Sequence, residues 1–335
     1  MTPLAPLLVL AAGLAQEPAG PAALGPAVAV ERVLVDARVL DRGRTVRGLG
    51  PAAFRVRIDG APADLVSVTW ISAEGASPAV SSSAVDAAAA PEQGRLVVLL
   101  VQKDLHPTRT GGLLRMLDGA ADLVEGLGPA DRAAVLSFDT HLKLWRDFTA
   151  DSQSLRRALE HDVLFETRAR HLGPSPEPSI GAHLGLEASR GAATPEAGLR
   201  LIAEALREIP GSKTLIFLGH GLGQLSGPRV TFHEDYDQAR LALLEASVTV
   251  FTLDVTDADR HSLEVGLQEI ADDTGGFYAR THIFSRQAMS RLEEALGGHY
   301  VLEVTHPGGS PGRHELDVAL VGVDGRVYAR TAYFD

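Results

Sequence analysis

Polar side chains that could bind a ligand follow two apolar runs of this sequence. Residues 101–106 read VQKDLH and residues 218–223 read LGHGLG. Each segment comes directly after a predicted strand, and parallel α/β sheets bind ligands beyond the carboxyl ends of their strands. The two segments are therefore predicted to form one binding edge.

Two glycine patterns suggest other chemistry but occur in the wrong context. Gly219, Gly221 and Gly223 are spaced G-x-G-x-G, whereas a dinucleotide fingerprint is G-x-G-x-x-G opening into a helix, and Pro228 follows soon afterwards. Residues 308–312 match G-x-S-x-G but lie between two predicted antiparallel strands, where we expect a hairpin loop and no nucleophile elbow. The sequence contains no H-E-x-x-H and no readable pair of nucleophile and base.

Composition excludes several classes of protein. The 335 residues carry 31 basic and 43 acidic side chains, a formal charge of −12, with no basic stripe. This balance argues against nucleic acid or an anionic membrane as the main partner. Because there is no cysteine, disulfides, thiol nucleophiles and cysteine-ligated metals are excluded.

The amino terminus resembles an export signal. Residues 1–15 are almost wholly apolar, and Gly13 and Ala15 give a small-x-small pattern before Gln16. No Lys or Arg precedes the apolar run, so a misassigned start or a buried helix are the alternatives. We expect a signal peptide over 1–15, a flexible leader over 16–29, and a periplasmic or secreted protein whose mature chain has no membrane span.

A β segment is predicted over 30–72. Phe54, Val56 and Ile58 alternate with arginines, which is the period of a half-buried strand, and Asp59-Gly60 is a hairpin turn signal. Residues 73–94 are rich in Ser, Ala and Pro and are predicted to be a linker.

The pattern changes to α/β over 95–297. Strands that are apolar throughout, such as 96–101, alternate with amphipathic helices, which predicts a doubly wound, mainly parallel sheet with helices on both faces. Asp139-Thr140 allows one tight turn, so we expect one antiparallel edge strand. Pro195 after Thr194 predicts a helix start.

The chain returns to β over 298–335. Neither terminal β segment is large enough to be stable alone. We therefore expect the two to join in one small β-sandwich with the α/β domain inserted between them or flanked by them. Two separate β appendages are the alternative.

Several phrases, in this order, resemble a von Willebrand factor A domain and, more closely, the "VWFA-related" proteins of acidobacteria: RLVVLLVQKD, VEGLGPADRAAVLSFD, GSKTLIFLGHG, VTVFTLDV and LQEIADDTGGFY. Both flanking β segments also resemble that family, so the resemblance covers about residues 30–335. It implies a metal-ion-dependent adhesion site at the carboxyl edge of the sheet, where a D-x-S-x-S motif, a threonine and a further aspartate bind Mg²⁺.

The resemblance places five residues of this chain at the adhesion-site positions. They are Gln102, Asp104, His106, Thr167 (by rough position only) and His220. Gln102 and His220 stand where the motif has aspartates, so Mg²⁺ or Ca²⁺ is expected to bind poorly. We expect a degenerate site of mutually hydrogen-bonded polar groups with no cofactor. The alternative is a transition-metal site of Asp104, His106 and His220.

Three functions are consistent with these features. The favoured one is a non-catalytic module that binds or scaffolds an unidentified protein partner in the cell envelope. The others are a metal-dependent hydrolase that uses the His/Asp cluster and a purely structural envelope protein.

Overall fold

The structure, a computed structural model, describes residues 30–72, 75–76, 94–169, 178–227, 229–307 and 311–335. The predicted signal peptide, the leader, all of the predicted linker except residues 75–76 and 94, and residues 308–310 of the G-x-S-x-G segment lie outside this part. Within it, no helix combines the length and the apolar character that a membrane span requires.

The strands in chain order are β1 Val30–Asp41, β2 Arg44–Thr45, β3 Phe54–Ile58, β4 Ala61–Ser72, β5 Gly75–Ala76, β6 Leu96–Gln102, β7 Arg132–Phe138, β8 Leu142–Thr149, β9 Lys213–Gly219, β10 Gln224–Ser226, β11 Arg229–Thr231, β12 Val248–Asp254, β13 Tyr278–Arg280, β14 Gly298–Pro307, β15 Arg313–Leu320, β16 Arg326–Ala329 and β17 Ala332–Phe334. The helices are α1 Pro107–Glu125, α2 Ser152–Arg157, α3 Val163–Phe165, α4 Leu186–Gly191, α5 Pro195–Arg207, α6 Glu234–Glu245, α7 Glu264–Asp273 and α8 Ser285–Leu296. A π-helical segment over 158–162 joins α2 to α3.

The α/β unit contains a six-stranded sheet in the order β13-β12-β9-β6-β7-β8. All neighbours are parallel except β7 and β8, which are joined by the predicted tight turn at Asp139-Thr140. Strands β6, β9 and β12 are buried along their whole length because helices cover both faces. The predicted doubly wound α/β fold class, with one antiparallel edge strand, is confirmed.

Two apolar cores lie on opposite faces of this sheet. Helices α1, α2 and α8 supply one core, together with Val97, Leu99 and Val101 of β6. Helices α5, α6 and α7 supply the other, together with Val98 and Leu100 of the same strand. Alternate side chains of β6 therefore pack on opposite faces of the sheet.

The terminal β segments pair with each other, but the predicted separate β-sandwich is seen only in part. Nine of the described strands form one sheet, in which β1 pairs with β14 and β16, and β3 pairs with β15. Strands β16 and β17 lie at opposite ends of the strand order, yet only two residues separate them in the chain. The sheet ends therefore lie within about 11 Å of each other, and the sheet folds over a single core instead of forming two separate sheets.

Buried contacts join this β unit to the α/β unit. Leu40 and Tyr328 pack into the core on the α8 face. The buried guanidinium of Arg38 donates to Thr249 Oγ1 at 3.2 Å and to the carbonyl of Ala295 at 3.3 Å. The two units therefore share apolar and polar contacts.

Candidate functional site

The two polar segments predicted from the sequence lie side by side. Strands β6 and β9 are parallel neighbours, and Val101 is paired with Leu218 one position before both strands end. Gln102 and Gly219 are therefore adjacent at the carboxyl edge. A Cβ on Gly219 would lie 2.8 Å from the ring of Phe217, so glycine is required for this close approach.

A hydrogen bond from the backbone fixes the side chain of Gln102 at the carboxyl edge. Its side chain is buried, and Oε1 accepts a hydrogen bond of 2.9 Å from the backbone N–H of His220. This bond occupies one of the two lone pairs of the amide oxygen. Gln102 therefore ties two strand ends together.

The negative charge of Asp104 is balanced by donors within the chain. It forms an ion pair with Arg109 of α1 and accepts a hydrogen bond of 2.8 Å from the backbone N–H of His106. Partial burial alone would raise the pKa of Asp104, but these two donors outweigh it and hold the pKa below its usual value. Asp104 therefore stays ionised and paired.

His220 is held as a neutral side chain. Its imidazole is 14% exposed, and Nε2 lies 3.7 Å from Oδ2 of Asp104. Burial and the charge of Arg109 lower the pKa of His220 to about 4, against the attraction of Asp104 and Asp254. Nδ1 is buried and has no hydrogen-bond partner in the part of the chain that the structure describes.

The remaining two predicted site residues point elsewhere. His106 is the N-cap of α1, where Nδ1 lies 2.9 Å from Thr108 Oγ1 and accepts from its backbone N–H at 3.4 Å. Thr167 lies exposed beyond α3, and no hydrogen bond between described residues connects it to Gln102 or His220. The structure brings together Gln102, Asp104 and His220 and leaves His106 and Thr167 outside this cluster.

The cluster does not fit a divalent cation. The oxygen of Gln102 already accepts from a backbone N–H, and the carboxylate of Asp104 is paired with Arg109. Across the described ranges, one group of three residues brings potential ligand atoms within 4.8 Å of one another, and it consists of Asp254, His261 and Glu264. The alternative zinc set of Asp104, His106 and His220 is not assembled.

A second polar network beside this cluster was not predicted. Asp254 ends β12, next to β9, and its side chain is 2% exposed. Its Oδ2 lies 2.7 Å from both the hydroxyl of Tyr278 and Nε2 of His261, and Oδ1 accepts from the backbone N–H of Thr256 at 2.9 Å. Burial raises the pKa of Asp254, but these donors outweigh it and the pKa is lowered.

Glu264, at the start of α7, completes the network. Arg280 donates to both of its carboxylate oxygens, at 2.8 and 3.0 Å, and the Tyr278 hydroxyl lies 3.0 Å from Oε2. The pKa of Glu264 is lowered mainly by Arg280, and burial raises that of Tyr278. A cation would have to displace Arg280 and Tyr278, so the arrangement is that of a closed ion network. The position of Asp254 after an apolar strand was the sequence signal for it.

Five large apolar side chains near this edge of the sheet are exposed to solvent, from 57% at Leu105 to 71% at Phe165. Leu105, Ile283 and Phe284 lie in the segments after β6 and β13, Leu225 lies in β10 after β9, and Phe165 is the last residue of α3. Lys103 Nζ donates to the carbonyl of Leu164 at 2.9 Å, which joins the loop after β6 to α3. We call these five residues the apolar rim.

Comparison with known proteins matches no family model and no curated protein sequence. Solved structures do match. One is a von Willebrand factor type A protein from Catenulispora acidiphila, with 10% identity and a TM-score of 0.42 over 91% of this chain and 72% of that one. Another is the vWF domain of the type V pili tip protein Mfa5 from Porphyromonas gingivalis, with 12% identity and a TM-score of 0.40 over 60% and 94%.

A third is the PilB minor pilin from Streptococcus sanguinis, with 11% identity and a TM-score of 0.39. This chain spans 61% of that chain's length. In the six-stranded sheet, the antiparallel strand β8 is third in sequence and lies at one edge, and helices cover both faces. The α/β unit is similar in fold to a von Willebrand factor A domain. Its candidate site lies at the carboxyl edge of the sheet, and membership in the acidobacterial family stays a prediction.

Proposed function

We propose that this protein is a non-catalytic, protein-binding module of the bacterial cell envelope or exterior. The observation that carries the proposal is the apolar rim. Exposed large apolar side chains concentrated at one end of a sheet and bordered by polar groups are typical of protein–protein interaction sites. The von Willebrand factor A-like unit would present this rim to a partner with a complementary apolar patch.

Binding at this edge is proposed to need no divalent cation. The charged groups around the rim are already paired inside the chain, as in Asp104 with Arg109 and Arg115 with Asp257 at 2.5 Å. Internal pairing leaves few free charges for a partner, so apolar contact supplies the affinity. We therefore expect weak dependence on salt, because screening acts mainly on exposed, unpaired charges.

The hydrolase alternative loses its main support. It required Asp104, His106 and His220 to converge on one metal, but the ring of His106 caps α1. The purely structural alternative predicts that the apolar rim has no specific partner. The test below separates it from the binding function.

Export is part of the proposal and rests on the sequence. The apolar run over 1–15 and its small-x-small end support a signal peptide. Mass spectrometry of the amino terminus of the protein recovered from the envelope or medium tests it. A mature chain that begins near Gln16 is expected, whereas an intact Met1 in the cytosol would contradict export.

Site-directed photo-crosslinking tests the binding function. A photoreactive amino acid is placed at Phe165 or Phe284 in the rim, and at Leu241 of α6, which is 43% exposed, as the matched control. In native envelope fractions, the two rim positions are expected to crosslink the same protein. The control position is not expected to crosslink it. The partner is then purified, and binding is expected to persist in EDTA.

Three results would contradict the proposal. They are no specific crosslink at either rim position, equal crosslinking at Leu241, and binding that EDTA abolishes. Calorimetric titration with Mg²⁺, Mn²⁺ and Zn²⁺ adds an independent check. A stoichiometric micromolar site that Asp104→Asn removes would show that the edge retains a metal function.

A further inference from the structure

A cavity of about 520 Å³ lies where the β unit meets the α/β unit. Its walls are the β1–β2 hairpin, one side of α8 and the start of β16. The side chains that matter for its chemistry are Asp41, Arg42, Arg44, Arg291, Arg326 and Tyr328. This volume falls within the usual range for small-molecule sites.

The cavity is strongly basic although the protein carries a charge of −12. Four guanidinium groups line it, against the single lining carboxylate of Asp41. Arg326 is paired with Asp272 at 3.2 Å. For Arg42, Arg44 and Arg291, the described residues provide no carboxylate partner. Three unpaired guanidinium groups facing one concave surface are suited to an anion.

Arg291 is held in place without being neutralised. Its guanidinium lies 3.9 Å from the ring centre of Phe277 and 5.4 Å from that of Tyr328, and it also donates to the Tyr328 hydroxyl. Stacking on aromatic faces fixes the planar group and leaves its other N–H donors available. Arg291 therefore offers N–H donors whose positions are fixed before a ligand binds.

Arg42 occupies a backbone position that does not favour arginine. Arg42 and Gly43 form the turn between β1 and β2 with φ of +48° and +84°. A two-residue turn with both φ values positive favours Asn, Asp or Gly at its first position. The arginine strains the turn and places a guanidinium at the cavity, and strain of this kind concentrates at functional sites.

We propose that this cavity binds a small, multiply charged oxyanion, that is, a compact molecule with phosphate or sulfate ester groups. Arginine forks match the oxygens of such groups bidentately. Ser290 and Gln287 of α8 also line the cavity and supply uncharged hydrogen-bonding groups. The concave shape fits a compact ligand better than a flat anionic membrane surface.

Calorimetric titration of the full chain tests the proposal. The probes are inositol hexakisphosphate for phosphate esters and sucrose octasulfate for sulfate esters, each at two salt concentrations. One saturable site that weakens with salt is expected for at least one probe. The double variant Arg42→Asn/Arg44→Gln is expected to bind at least about tenfold more weakly. It should melt no lower than the parent, because Asn suits the turn.

The matched control is Arg229→Gln, which removes an exposed arginine from the β10–β11 hairpin. It is expected to bind the probe like the parent. The proposal is overturned if neither probe binds saturably, if the double variant binds unchanged, or if Arg229→Gln weakens binding equally. These measurements need no protein partner, so their failure would leave the proposed function of the apolar rim untouched.

Discussion

The backbone N–H of His220 donates a hydrogen bond of 2.9 Å to Oε1 of Gln102. Gln102 ends β6, and His220 directly follows the neighbouring parallel strand β9. The sequence resemblance predicts aspartates of a metal site at these two positions. The side chain of Gln102 instead accepts from the backbone at position 220, so this bond joins the two strand ends directly.

Gln102→Met tests the contribution of this bond. Methionine keeps the length of the side chain but removes the acceptor, which leaves the N–H of His220 without it. The free energy of unfolding, measured by urea denaturation, is expected to fall by about 1–3 kcal/mol. The exposed Gln153→Met in α2 is the control, with a change below about 0.5 kcal/mol. Equal effects of the two variants would show that the bond contributes nothing.

The neutral state of His220 predicts a pH dependence of stability. In the unfolded chain a histidine protonates near its ordinary pKa of 6.5, whereas in the fold the pKa of His220 is about 4. Between these values the unfolded state binds more protons, so stability falls as pH is lowered from about 6.5 to about 4. The contribution of His220 to this fall is on the order of 3 kcal/mol.

His299 gives a second, separable contribution. Burial and the charge of Arg38 also lower the pKa of His299 to about 4. The slope of the unfolding free energy against pH reports how many more protons the unfolded state binds than the folded state. This number should fall by about one in His220→Gln and in His299→Gln, and by about two in the double variant. The measurement is urea denaturation at intervals from pH 4 to 7. A single variant with the parental slope would contradict the assignment for that histidine.

Asp254→Asn should destabilise the protein at neutral pH by about 2–4 kcal/mol, since it removes a buried charge that three donors satisfy. Because the fold lowers the pKa of Asp254, its contribution is present above the ordinary value of 3.8 and is lost as pH falls through the lower folded value. The difference in stability between the parent and Asp254→Asn should therefore be smaller at low pH. Thermal unfolding at pH 7 and pH 2.5 measures it, with the exposed Asp317→Asn as control.

Arg38 tests the contact between the two units. Arg38→Ala leaves Thr249 Oγ1 and the Ala295 carbonyl without their donor and opens a cavity, at an expected cost of about 2–4 kcal/mol. Arg38→Met refills the volume and removes a buried charge, so it should cost clearly less. Calorimetry of thermal unfolding measures the loss of stability in both variants. If Arg38→Met is as damaging as Arg38→Ala, the charge itself stabilises the junction.

Much of the fold could be predicted because local patterns specify it. Apolar runs marked the buried strands, and Asp59-Gly60 marked a hairpin turn that the structure contains with φ of +50° and +78°. The helix start at Thr194-Pro195 is also observed, with Thr194 as the N-cap. In each case, residues a few positions apart decide the conformation.

Several short elements were missed, and two of them show why. The β10–β11 hairpin and helix α4 occur in segments without a clear apolar period. Leu225 of the hairpin is exposed, and α4 buries only Ser189 among its side chains. Elements this short are stabilised by the surfaces they pack on, so their own sequence carries little signal.

The site was predictable in position but not in detail. The ends of β6 and β9 were correctly predicted to be adjacent, since this follows from sheet topology alone. That the ring of His106 caps α1 depends on side-chain orientation. That Tyr278 lies between Asp254 and Glu264 depends on contacts between distant parts of the chain. Periodicity in the sequence contains neither kind of information.

The pairing of β1 has a consequence for the order in which this protein can mature. Its neighbours β14 and β16 begin at residues 298 and 326. During synthesis, β1 leaves the ribosome hundreds of residues before β14 and β16 exist, so the β unit closes only after the segment that contains β16 has been translated. Contacts this distant in sequence also slow folding. A chain that stays incompletely folded until its last strands emerge is compatible with passage through a translocation channel in an unfolded state.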